Sequence, residues 1–202
     1  MKLLITVLLI LLLIPLSYGQ DRSFAQNEQI DIQLKKHDTL EIHTKNQLMK
    51  LISSYDIGRW IYTRQVIIES GYQINPHSHP ILTLSTRHLK DDDLLLSTFI
   101  HEQLHWFVTG HQSKEDVLVQ LKSLFPHPKI DFPDGSGGET DTYFHILICH
   151  LEYRALKEIL GEMKAYQIMC FWQKDHYRWV YKTVLDDQFK LDELIRKYKI
   201  QP

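Results

Sequence analysis

Asp91-Asp92-Asp93-Leu94-Leu95-Leu96-Ser97-Thr98-Phe99-Ile100-His101-Glu102-Gln103-Leu104-His105 is the stretch on which the reading of this chain turns. Asp91 to Asp93 supply an N-cap and an acidic first turn, both of which favour the start of a helix. Leu96, Phe99, Ile100, Leu104 and Phe107 follow at spacings that give an apolar surface, so a helix is expected over 91–108. At i and i+4 on that helix, His101 and His105 stack on one face, where both imidazoles can share a zinc ion. Glu102, one residue after the first of them, is placed to take a proton from a water attacking a carbonyl and to return it to the leaving amine.

Outward from this helix, the pattern gives an α+β order. Residues 22–38 are polar with weak structural signals, and Thr39–Thr44 alternates enough for a short strand. A helix is expected over Asn46–Ile57 and a strand over Trp60–Ile68, rich in aromatic and β-branched residues. A turn around Gly71 and Asn75-Pro76 leads to a second strand, Ile81–Ser85, and the two strands read as a hairpin. After the motif helix come a helix at 113–124, a loop from Pro126 to Gly138, and helices at about 141–160, 163–182 and 187–198.

The His-Glu-x-x-His pattern, with strands before it and helices after it, resembles the zincin metallopeptidases over about residues 60–182. The resemblance implies an α+β, zincin-like fold in which a small N-terminal sheet precedes the active-site helix and a helical part follows. It also implies Zn²⁺ as cofactor, a peptide or protein as substrate, and a strand just before the motif helix, here Ile81–Ser85, that aligns an extended substrate.

A hydrolytic zinc takes three protein ligands and keeps one position open. His111, six residues after His105, stands where the metzincin pattern places its third histidine. However, Val108 occupies the position where that pattern has glycine, and Gly110 comes two positions late. The helix expected over 141–160 offers His145, Cys149 and Glu152 at i, i+4 and i+7, one stripe on an otherwise apolar surface. His145 and Glu152 are about 10 Å apart along the axis, so one is expected to bind the ion while the other orients a motif histidine. Glu152 as ligand resembles the gluzincins, although Leu156 stands where they carry a further acidic residue. His145 as ligand gives an all-histidine site. His150 points elsewhere and reads as structural.

A developing oxyanion needs a donor, and Asp175-His176-Tyr177-Arg178-Trp179-Val180-Tyr181 is the late stretch richest in them; His176 and Tyr181 are the candidates. His77-Ser78-His79 reads as a solvated loop before Pro80, with weak metal binding as the lesser alternative.

Lys2 and the apolar run Leu3–Leu16 before Ser17-Tyr18-Gly19-Gln20 read as a secretory signal peptide, residues 1–19, cut after Gly19. The run is short for a membrane helix of about 20 residues, so a membrane is a partner only if the segment is retained. Residues 20–202 then form a single secreted or periplasmic domain. With a net charge of −2 and interspersed signs, the chain carries no electrostatic footprint for nucleic acid. Cys149 and Cys170 either pair in an oxidising compartment or remain buried thiols. The competing functional class is a non-enzymatic extracytoplasmic binding protein on the same scaffold.

Overall fold

The computed structural model describes residues 29–202; the expected signal peptide lies outside them. Among the described residues, the fold is α+β, with one three-stranded parallel sheet and seven α-helices, and no helix is long and apolar enough to cross a membrane.

The chain opens with β1 (Asp31–Leu34), α1 (Thr39–Ser54) and β2 (Gln65–Glu69). β1 lies in the segment expected to carry weak structure, and α1 begins where a strand was expected. Asp38 decides the latter: its Oδ1 accepts the Glu41 N–H at 3.0 Å and caps the helix. Glu41 then turns inward, its carboxylate accepting the backbone N–H groups of Lys36 and His37, each at 2.8 Å, and of Ser70 at 2.9 Å. One buried side chain thus ties the end of β1 to the end of β2.

β2 pairs with β3 (Leu82–Ser85) in parallel, Val66 opposite Leu82 and Ile68 opposite Leu84, so the expected hairpin between them is overturned. Parallel neighbours need a connection long enough to carry the chain back, and residues 70–81 provide it. The turn at Gly71 and Asn75-Pro76 is real, but what it sends back is the segment around His77, which bridges antiparallel to Thr83 on the outer side of β3.

α2 (Asp92–Gly110) is the motif helix, capped by the Asp91 side chain on the Leu94 N–H at 3.0 Å. Leu94 to Leu104 are buried without interruption, so this helix runs through the centre of the molecule instead of lying on its surface. Gln103, inside the motif, pins the approach to β2. Its Oε1 accepts the backbone N–H groups of Tyr62 and Thr63 at 2.7 and 2.8 Å, and its Nε2 donates to Thr63 O at 2.9 Å.

α3 (Lys114–Leu124) and α4 (Glu139–Leu160) follow, and Gly161, at φ +88°, turns the chain into α5 (Glu162–Asp175). The helix expected over 163–182 is in fact two, α5 and α6 (Arg178–Asp186), broken at Tyr177 in a left-handed conformation, φ +48°. The break is held from outside: Arg178 N–H donates to Pro133 O at 2.9 Å and Trp179 N–H to Asp134 O at 3.1 Å, so the 126–138 loop satisfies the first turn of α6. α7 (Gln188–Lys197) closes the domain. α4 lies against α2, α5 and α6, which brings its polar stripe over the motif.

Candidate metal centre

His101 and His105 meet with their Nε2 atoms 3.2 Å apart. Two nitrogens bound tetrahedrally to one zinc at about 2.05 Å lie roughly 3.3 Å from each other, so the pair already stands at ligand separation. α4 delivers the third ring. The His145 ring centre is 5.7 Å from that of His101 and 5.0 Å from that of His105, and the three offer nitrogens within 4.8 Å of one another. His145 Nδ1 bonds Asp141 O at 2.7 Å, one turn back on α4, which leaves Nε2 as the nitrogen free to coordinate an ion.

Electrostatics suit two members of this set. Burial, reinforced by the neighbouring rings of His101, His145 and His79, pushes His105 down to about 2. Burial and His101 likewise push His145 down to about 3. Two rings are therefore held neutral, the form a metal ligand needs. For His101, burial is outweighed by hydrogen bonds with Cys149 and Glu152 and by their charges, which hold it well above the usual range.

Glu152 stands behind His101. Its Oε2 bonds His101 Nδ1 at 2.9 Å and accepts the Tyr181 hydroxyl at 3.2 Å, while Oε1 accepts the Ser97 hydroxyl at 2.5 Å. Ser97 Oγ in turn accepts the Trp172 indole N–H at 2.8 Å. The carboxylate is fully buried, and these three contacts satisfy it. The two candidates on the α4 stripe are thereby separated: His145 joins the motif rings, whereas Glu152 orients His101 from the far side. Cys149 lies between them, forming a second close group with His101 and Glu152.

These residues open onto a cavity of about 510 Å³. Glu102 lines it beside the histidines, and burial, opposed by the charge of His101, raises its carboxyl to about 7. His176 lines it too, its Nδ1 on Asp175 at 2.8 Å. Tyr181 cannot serve as the expected oxyanion donor while its hydroxyl is committed to Glu152. Tyr177 was not singled out from sequence, yet its ring packs 4.5 Å from His145 and lines the same cavity. The signal that places it there, a helix break stabilised by a loop some 45 residues earlier, is not local. Ser97 was more accessible to sequence reasoning, since it sits four residues before His101 on the same face.

Other candidates lie elsewhere. His111 ends α2, its Nδ1 accepting the Ser113 N–H at 3.2 Å and its ring against Phe107. His150 faces away, bonded to Asp192 at 3.0 Å. Cys149 and Cys170 are free thiols. His77 lines the cavity, whereas His79 stacks on Trp106. The chain matches no family model, no curated protein and no solved structure.

Proposed function

We propose that this protein is an extracytoplasmic zinc metallohydrolase, zincin-like in its use of an HExxH helix, that cleaves peptide bonds. The observation that carries the reading is the convergence of three imidazoles on one point of a cavity that Glu102 also lines. His101, His105 and His145 would hold the ion, which when bound would act as a Lewis acid toward water and the scissile carbonyl.

The chain's own groups supply the rest. Glu102, with a carboxyl raised to about 7 by burial, accepts a proton from the attacking water and passes it to the leaving amine near neutral pH. Tyr177, whose hydroxyl burial holds in its protonated form above the usual range, is the donor available to the developing oxyanion. His176, fixed by Asp175, stands beside it. Glu152 holds the His101 ring in orientation. The apolar run Leu3–Leu16 supports export.

A second reading rests on the His101, Cys149 and Glu152 group, which is buried throughout and would make a closed, structural site in a binding protein. Glu152 favours the first reading, because Ser97, Tyr181 and His101 already use its oxygens.

Elemental analysis of the mature protein and of three variants tests the proposal. Wild type and Glu102→Gln should each carry one zinc, His145→Ala should lose it, and His150→Ala should keep it. Glu102→Gln should lower peptide hydrolysis by roughly 10² to 10⁴-fold. Cobalt substitution should give no thiolate charge-transfer band; such a band would move the ion to Cys149. Absence of metal from wild type, or unchanged hydrolysis in Glu102→Gln, would sink the reading.

A further inference from the structure

β3 is the edge strand nearest the motif helix. Such an edge offers its outward N–H and C=O groups to an incoming peptide. In this protein its middle rung is already taken. His77 N–H donates to Thr83 O at 3.0 Å, and Thr83 N–H donates to His77 O at 2.8 Å. The strap that makes this bridge is fastened a second time: the Trp106 indole N–H donates to Ser78 O at 2.9 Å, and His79 stacks on the Trp106 ring at 4.2 Å. Trp106 directly follows His105, so the strap is tied to the motif helix itself. Ile74 to Ser78 wall one side of the cavity, and the stacked Phe132 and Tyr177 also line it.

Building on the hydrolase reading, we infer that the centre acts on short peptides and free chain ends, not on internal bonds of an extended chain. An internal segment aligned on β3 must run past Thr83, which requires displacing two backbone hydrogen bonds, one indole hydrogen bond and a ring stack. A chain end needs only the cavity. Its volume of about 510 Å³ is within the roughly 300–1,000 Å³ of pockets that enclose a drug-sized ligand, which is room for a few residues.

Two peptides sharing one scissile bond, a free tripeptide and a longer peptide blocked at both ends, test this with the zinc-loaded protein. The tripeptide should be cleaved with a kcat/KM at least about tenfold higher, a difference that reports transition-state access directly. Removing two of the three donors that fasten the strap, with His77→Pro and Trp106→Phe, should raise the long-to-short ratio. Independently of folding in that variant, amide exchange on Glu102→Gln should show the His77 and Thr83 N–H groups still protected when the long peptide is added. Equal or faster cleavage of the blocked peptide, or loss of protection at His77 on adding it, overturns the inference and leaves the hydrolase reading standing. Failure to cleave either peptide overturns both.

Discussion

Glu41 and Glu152 are both carboxylates with no exposed surface, one in the sheet layer and one in the helical layer, and their surroundings differ in kind. Glu41 takes three hydrogen bonds from main-chain N–H groups at the ends of β1 and β2. Glu152 takes its bonds from the side chains of Ser97, Tyr181 and His101, contributed by α2 and α6. A buried carboxylate needs partners in either case. When the partners are backbone, the residue fixes where chain segments end. When they are side chains, it fixes how a ring points, and the ring it points here is the first histidine of the motif.

The sharpest way to break that distinction is Glu41→Ala. It strands three N–H groups, one of them fully enclosed, and should cost about 3 kcal/mol or more, measured by denaturant unfolding. Zinc affinity of the folded fraction should stay at the wild-type value. Should zinc affinity fall as well, the sheet layer would not be a passive support for the centre.

Glu152→Gln probes the other side. The amide keeps the size of the group but not its charge, and it offers one acceptor oxygen where Ser97, Tyr181 and His101 now share two, so His101 loses its charged partner. Zinc affinity should drop roughly 10- to 100-fold, the usual range for a group that orients a metal ligand from behind. Because the same pairing holds the His101 ring above its usual protonation range, the pH at which zinc binding is half-complete should also shift, a readout that simple loss of packing would not move. A fall in stability with unchanged zinc binding would make Glu152 another Glu41.

The contrast also explains what was legible in the sequence. The motif helix could be read because its signals are local: Asp91 caps it, and His101 and His105 are four residues apart. The stripe of His145 and Glu152 was visible on its own helix, and so was the expectation that one would reach the motif while the other oriented a ring, but which takes which part depends on how α4 crosses α2. The N-terminal part misleads for a physical reason. Around Glu41 the alternation of Leu40 and Ile42 suggests a strand with those residues inward. In the fold Leu40 and Ile42 are 49% and 43% exposed, and Glu41 is the buried one. A carboxylate bonded to distant backbone inverts the hydrophobic pattern, and nothing within the helix announces it. The parallel pairing of β2 and β3 was hidden likewise, because the turn before β3 makes a genuine reversal with a different partner.

The smallest effect lies at the seam between the two layers. His88, buried between α1 and α5, accepts a long hydrogen bond on its carbonyl from Gln47 of α1, and its ring meets the edge of Trp172 at 5.2 Å. Trp172 is the residue that donates to Ser97 and so reaches Glu152. Burial, reinforced by Arg87 and His176 and opposed by Asp91 and Asp175, pushes His88 down to about 4 from 6.5. The folded state therefore prefers the neutral ring, and the unfolded chain binds more protons between these values. Stability from this group is complete above about pH 6.5, declines as pH falls toward 4, and levels off below that. After allowance for screening by nearby water, the decline should be worth about 1 kcal/mol. His105 and His145 also favour neutral rings, so the measurement is a difference: unfolding free energy of wild type and His88→Gln at pH 7 and at pH 4.5. Wild type should lose more over that interval than the variant, by about that amount. Parallel losses would leave the seam indifferent to pH.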